Sequence, residues 1–457
     1  MKKKYLISLL AAFMAVSFQA SAQEKIYEVD GGKIAGVSGR PSGITVFKAI
    51  PYAAPPVGEL RWKAPQPVQP WQGIKHCDRF PPTPMQRERN YNAFQDYKMP
   101  VYECYSEDCL YLNVWAPTQK PEKPMPVMVW YYGGGFQVGS TVYPLYNGEN
   151  FVKHGVIMVS INYRVGVFGF LSHPLLSKEN GGTSGNYGFY DQLAGLQWVV
   201  RNIAKFGGDP NNITIFGQSA GSMSVQALMC SPLTKGLFQK AIMQSGAGIR
   251  QNVRCFPLKE HEQYGKEFFD AMGITTLKQM RAMDAIELQK AYQSSKFFGK
   301  FRPSTDGKFL THDSNKEANF LGLYPDIPYI IGYTKDDVPA ANMPKTVMDW
   351  ADNHLEMGRK APYVYSFDHA LPGGDMGGRA KDIFGATGAI HSVELGYMFG
   401  RLNISTREMT PADYELSNRM MEYWTNFAKY GNPNGLNSNA WQPYQAHGQN
   451  IFHIDIK

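Results

Sequence analysis

The chain has 457 residues, of which 43% are hydrophobic and 19% charged, enough apolar material for a packed core and too much for general disorder. The length exceeds that of one ordinary domain, but α/β enzymes often reach it around a single sheet. The formal charge of +7 is mild, and no basic run interleaved with aromatics points to nucleic acid.

Lys2, Lys3 and Lys4 precede an apolar stretch from Tyr5 to about Phe18, and Ala20-Ser21-Ala22 supplies a small-x-small cleavage pattern. This reads as a secretory leader over residues 1–22, followed by a single domain over 23–457, so export to the periplasm or medium is expected. The apolar run is short for a membrane span, and no later stretch is apolar enough for one. Loss of the three lysines would leave +4 of the +7. Five cysteines follow, at 77, 104, 109, 230 and 255. Export permits disulfides, and Cys77 with Cys109 or Cys104 would close an early loop; an odd count leaves at least one thiol unpaired.

In chain order, β-rich apolar runs occur at 126–132, 156–163, 213–216, 240–244, 328–332 and 363–367. They are continuous Val/Ile/Met/Tyr runs, the pattern of strands covered on both faces, and predict a mostly parallel sheet flanked by helices. One predicted helix starts near Asp191, carries Leu193, Leu196, Val200, Ile203 and Phe206, and ends at Gly207-Gly208. Another begins at Thr410-Pro411, carries Met420, Met421, Trp424 and Phe427, and stops at Gly431. The polar stretch 253–304 has a helical pattern and reads as an excursion covering one end of the sheet.

The segment with the clearest chemistry is Ile213-Thr214-Ile215-Phe216-Gly217-Gln218-Ser219-Ala220-Gly221: a strand, then G-x-S-x-G, then a helix-compatible run. A serine on a sharp strand-to-helix turn needs neighbours small enough for close backbone approach, and the helix N-terminus favours developing negative charge. Ser219 is therefore the candidate nucleophile. Upstream, Gly133-Gly134-Gly135 follows an apolar strand, and such a triplet lets backbone N–H groups turn toward an oxyanion. The base must be a histidine further on. His261, His312, His354, His369, His391, His447 and His453 are all available, and spacing alone selects none. Tyr132, Phe136 and Tyr190 are candidate site-lining aromatics.

These residues, with Phe47-Lys48-Ala49-Ile50-Pro51-Tyr52, Ser106-Glu107-Asp108-Cys109-Leu110, Asn162-Tyr163-Arg164, Gln244-Ser245-Gly246 and Asn432-Pro433-Asn434-Gly435, resemble the type-B carboxylesterases. The resemblance covers nearly all of the chain after the leader. It implies an α/β-hydrolase fold and a serine carboxylic-ester hydrolase. It picks His391, with Glu394, from a G-x-x-H-x-x-E-L segment. It places Asp337 where the family usually has Glu, with Asp336 the runner-up and Asp306 a distant third. It implies oxyanion donors at the N–H groups of Gly134, Gly135 and Ala220, and suggests Ser224 as a support for the acid. Ser392 stands in place of a common glycine. Only 54 positions separate Asp337 from His391, a short interval for this family, which implies a reduced helical cover and a shallower, more open pocket.

The expected reaction is acyl transfer through Ser219, requiring no metal or organic cofactor. The expected substrates are aryl or acyl esters, small or glycan-linked, feruloyl esters of plant polysaccharide among them. A broad-specificity detoxifying or lipase-like esterase and a non-catalytic binding module of the same fold are the alternatives.

Overall fold

The computed structural model describes residues 25–39, 42–88, 97, 104–250, 255–374, 388–435 and 440–456. The expected leader, 1–22, lies outside the described residues. Ten strands form the main sheet: β1 (Val37–Ser38), β2 (Ile44–Pro51), β3 (Tyr111–Pro117), β4 (Met125–Tyr131), β5 (Ile157–Ile161), β6 (Gly208–Gln218), β7 (Lys240–Gln244), β8 (Tyr329–Thr334), β9 (Tyr363–Phe367) and β10 (Phe452–Ile454). Their order across the sheet is β10-β9-β8-β7-β6-β4-β5-β3-β2-β1. From β10 to β5 every neighbouring pair is parallel, and β3, β2 and β1 close the other edge antiparallel. The sequence-read strands fall on β4 to β9, close to their bounds except that β6 starts five residues earlier than read, at Gly208.

The uninterrupted apolar runs have a direct cause. In β4, Val127, Val129 and Tyr131 enter the core on one face, and Met128 and Trp130 enter a separate core on the other. The helix α1 (Tyr187–Asn202) buries Leu193, Leu196 and Trp198 in the first core. The helix α2 (Ala220–Cys230) follows β6 directly and also lies on that face. A helical excursion, α3 (Leu258–Asp270), α4 (Leu277–Ala282) and α5 (Ala285–Gln293), occupies the stretch read as a cover. The helix α6 (Pro411–Tyr430) buries Met420, Trp424 and Phe427 in the second core. Its N-cap is Thr410, whose hydroxyl and the Asp413 side chain satisfy each other's backbone N–H groups, and Gly431 ends it at φ 70°. Among the described residues no helix is long and apolar enough to cross a membrane.

The expected early disulfide is corrected by the structure: all five cysteines are free thiols. Cys77 and Cys109 are packed into the first core as small hydrophobes, while Cys104 is exposed. Burial pushes the Cys77 thiol up to about 12, so it sits protonated and inert.

Candidate active site

Ser219 occupies the turn between β6 and α2 at φ 57°, ψ −125°, a conformation that non-glycine residues rarely adopt. Its N–H donates to Gln244 O at 2.9 Å, which ties the turn to the end of β7. The flanking glycines are required by contact. A Cβ on Gly221 would stand 2.0 Å from Tyr131 O, and one on Gly217 2.4 Å from the Gly221 carbonyl carbon. The first turn of α2 therefore presses on the end of β4, and the hydroxyl-bearing residue is forced outward.

The glycine triplet leaves β4 beside this turn. A Cβ on Gly133 would lie 2.9 Å from Ser219 Cβ, and one on Gly134, at φ 120°, would lie 2.0 Å from Val138 O. Gly135, at φ 63°, faces open space. The N–H groups of Gly134, Gly135 and Ala220 reach no protein acceptor among the described residues. They remain available to an oxyanion near Ser219.

The loop after β8 and the loop holding His391 meet at the same end of the sheet. His391 Nδ1 lies 2.8 Å from Asp337 Oδ1. The carboxylate is also braced by the Thr334 hydroxyl (3.1 Å to Oδ2) and the Val338 N–H (2.8 Å to Oδ1). Asp336 does not touch the imidazole; its Oδ2 accepts the N–H of Ala389 at 2.9 Å. Asp306 accepts the N–H groups of Lys308, Phe309 and Leu310, a turn-holding role that removes it as a rival.

On the other side of the ring, the Gln218 side-chain amide nitrogen lies 3.2 Å from His391 Nε2. With Nδ1–H donated to Asp337, Nε2 is the acceptor of that contact and the basic nitrogen of the ring. Gln218 immediately precedes Ser219, so His391 is joined to the turn that carries this serine. Burial opposes ionisation of Asp337, but the charge and hydrogen bond of His391, with Ser245 and the Val338 N–H, hold its carboxyl below its ordinary range. Burial also disfavours the imidazolium of His391, yet Asp337 and Glu394 outweigh it and raise the pKa, with Arg250 opposing. Glu394, fully buried, is pushed up to about 7 by desolvation, against the influence of His391.

The other histidines are engaged elsewhere. His261 pairs with Ser172 Oγ and Lys300 O, His354 with Tyr324 and Lys360 O, and His369 with Asp413 and Asp455. Ser224 is not beside the acid: its hydroxyl donates to Ala220 O at 2.9 Å and accepts from Gln192 at 2.9 Å, so its helix face points toward α1. The serine facing Asp337 is Ser245, near enough to favour the ionised form, though outside well-formed hydrogen-bond geometry. Nothing in the G-x-S-x-G-x-x-S spacing could have told these two serines apart. Ser392 adopts φ 73°, the conformation for which glycine is common at that position.

A cavity of about 170 Å³ opens on Ser219, Gly135 and Ala220. Phe136, Phe189 and Met223 give it apolar walls, and Arg250, Arg302, Ser314 and Asn315 give it polar ones. Of the aromatics singled out in the sequence, only Phe136 lines it. Tyr132 is fully buried, stacked on Tyr163 at 4.3 Å, and Tyr190 packs edge-on against Phe309. The neighbouring Phe189 takes the lining position instead. Gln218, Ser245, Arg250 and Arg302 were not identified from the sequence; they come from separate segments and share no local pattern.

The chain matches the model of the carboxylesterase family over residues 23–346 and 340–457. It is 33% identical to a fumonisin B1 esterase of Sphingopyxis macrogoltabida, covering 96% of this chain and 88% of that one. It is likewise 33% identical to the para-nitrobenzyl esterase of Bacillus subtilis (strain 168), covering 93% of each. Among solved structures it is similar to a thermophilic PNB esterase at 30% identity, with a TM-score of 0.82 over 95% of this chain and 96% of that one.

Proposed function

Because the chain belongs to the carboxylesterase family and is a carboxylic-ester hydrolase, we propose that it cleaves its esters by two-step acyl transfer on Ser219. His391 Nε2 takes the Ser219 proton as the hydroxyl attacks the ester carbonyl. The N–H groups of Gly134, Gly135 and Ala220 hold the tetrahedral oxyanion. His391 then protonates the leaving alcohol, and water repeats the sequence to release the acid. Asp337 keeps Nδ1 protonated and stabilises the imidazolium. The observation supporting this reading is the 2.8 Å contact of His391 with Asp337 on a ring whose other nitrogen meets Gln218, next to the nucleophile.

In this reading the substrates are aryl or acyl esters, and the rings of Phe136 and Phe189 offer a wall for an aromatic group such as a feruloyl unit of plant polysaccharide. The enzyme is exported through residues 1–22 and acts in the periplasm or medium. Hydrolysis of 4-nitrophenyl acetate, 4-nitrophenyl butyrate and methyl ferulate, beside Ser219→Ala and labelling by a fluorophosphonate, is the test. Activity and labelling that both vanish in Ser219→Ala support the assignment. A folded wild-type protein that neither labels nor hydrolyses any of them returns the non-catalytic binding module.

A further inference from the structure

We propose that Arg250 and Arg302 form a carboxylate-binding subsite beside Ser219, so that the preferred ester carries a free carboxylate. The proposal rests on the ester-hydrolase reading above and specifies its substrate class. The two guanidinium groups reach the same cavity from unrelated parts of the chain. Arg250 lies just beyond the Gln244-Ser245-Gly246 end of β7, and its Nη1 donates to Gly246 O at 3.3 Å. Gly246 itself presses on the nucleophile, since a Cβ there would stand 2.2 Å from Ser219 O. Arg250 is thereby moored to backbone that touches the reacting residue. Arg302 comes from the loop after α5, where its Nε donates to Gly299 O at 2.8 Å, and its exposed side chain lines the same cavity.

Charge balance sets these two, Arg250 half-buried and Arg302 exposed, apart from the buried arginines. Arg61 is paired with Glu107 at 2.5 Å, Arg164 with Asp191 at 2.7 Å and Arg281 with Glu179 at 2.6 Å. Arg250 and Arg302 form no ion pair with a carboxylate among the described residues, and no acidic side chain lines the cavity. They also sense each other: burial lowers the pKa of Arg250, Asp337 counters it, and Arg302 adds to the lowering. Half-buried Arg250 and exposed Arg302 line one cavity and repel each other, and an anion bound between them relieves that repulsion. Asp337 offsets part of the Arg250 charge, and a neutral ester adds nothing to that compensation. A carboxylate presents two oxygens to planar guanidinium forks and forms charge-assisted hydrogen bonds to them. The carboxylate could belong to the acyl group, as in a half-ester of a dicarboxylic acid, or to the leaving alcohol.

Two matched pairs separate these sources: monomethyl glutarate against methyl hexanoate for the acyl side, and 4-acetoxybenzoate against methyl 4-acetoxybenzoate for the alcohol side. The kcat/KM ratio of anionic to neutral ester is measured for wild type, Arg250→Gln, Arg302→Gln and Arg250→Lys, with Ser219→Ala as the blank. In one pair the wild-type ratio is expected to favour the anion by roughly tenfold or more. That ratio falls toward one in both Gln variants, is partly kept in Arg250→Lys, and shrinks with added salt. A ratio at or below one in both pairs, or one unmoved by either Gln variant, overturns the subsite while leaving the esterase intact. Loss of all hydrolysis and of fluorophosphonate labelling in wild type overturns the esterase reading instead.

Discussion

Asp336 and Asp337, adjacent in sequence, address the histidine loop at two different points: Asp337 meets the His391 ring at 2.8 Å, and Asp336 accepts the Ala389 N–H at 2.9 Å. The backbone adds a return bond, Asp336 N–H to Ala389 O at 3.0 Å. One aspartate orients the imidazole and its neighbour fixes the backbone that presents it. Asp337→Asn should lower kcat by about 10³–10⁴-fold through the wrong imidazole tautomer, with little loss of fold stability. Asp336→Asn should cost far less rate, roughly tenfold, together with about 1–3 kcal/mol of stability from the weakened loop anchor. Steady-state kinetics and denaturant unfolding of both variants check this; equal rate losses would show that the two aspartates are not divided in this way.

Glu394 and His391 make pH dependence a two-group matter. The base must be neutral, so activity rises as pH climbs through the raised pKa of His391. Glu394 has a folded pKa of about 7 against an ordinary 4.5, so it binds its proton more tightly in the folded state. Its contribution to stability is therefore complete below about 4.5 and is lost as pH rises through about 7. The shift corresponds to on the order of 3 kcal/mol. Glu394→Gln removes this dependence, so the variant should gain on wild type in thermal stability between pH 5 and pH 8. A stability difference that stays constant over that range would show that Glu394 does not titrate there.

The glycines near Ser219 should fail in different ways. Gly221→Ala drives a methyl to 2.0 Å from Tyr131 O and should destabilise the protein by several kcal/mol or prevent folding. Gly135→Ala meets nothing within 4 Å, so its cost in stability is only that of a left-handed alanine, about 1–2 kcal/mol. Gly135 lines the cavity beside Ser219, and activity should fall by about tenfold or more as the oxyanion loop shifts. Circular dichroism beside kinetics separates the two outcomes.

The free thiols give a count. A thiol reagent should titrate Cys104 alone in the native protein and all five cysteines after denaturation, because Cys77, Cys109, Cys230 and Cys255 are buried. Fewer than five thiols in denatured, unreduced protein would reveal a disulfide.

The sheet and the serine turn were legible because their information is local. Buried parallel strands need apolar residues at every position, as β4 illustrates, and a strand, a glycine, a serine and a helix start lie within nine consecutive residues. His391 was not legible from its own surroundings: seven histidines follow Ser219 and only resemblance singled one out. The resemblance suggests Ser224, but a helix turns that residue toward Gln192, and Ser245 faces Asp337 from just beyond β7.

By itself, then, the sequence determined what short-range sterics and patterning can decide: a two-faced parallel sheet, a serine on a strained turn, and a glycine loop beside it. Tertiary structure decided everything that depends on which distant side chains share a few ångströms. It gave the imidazole to Asp337 and the loop anchor to Asp336, left the cysteines apart, and brought Arg250 and Arg302 to one cavity from segments some fifty residues apart. Coulomb and hydrogen-bond energies act through space, and linear spacing holds no record of the distance across a folded sheet end.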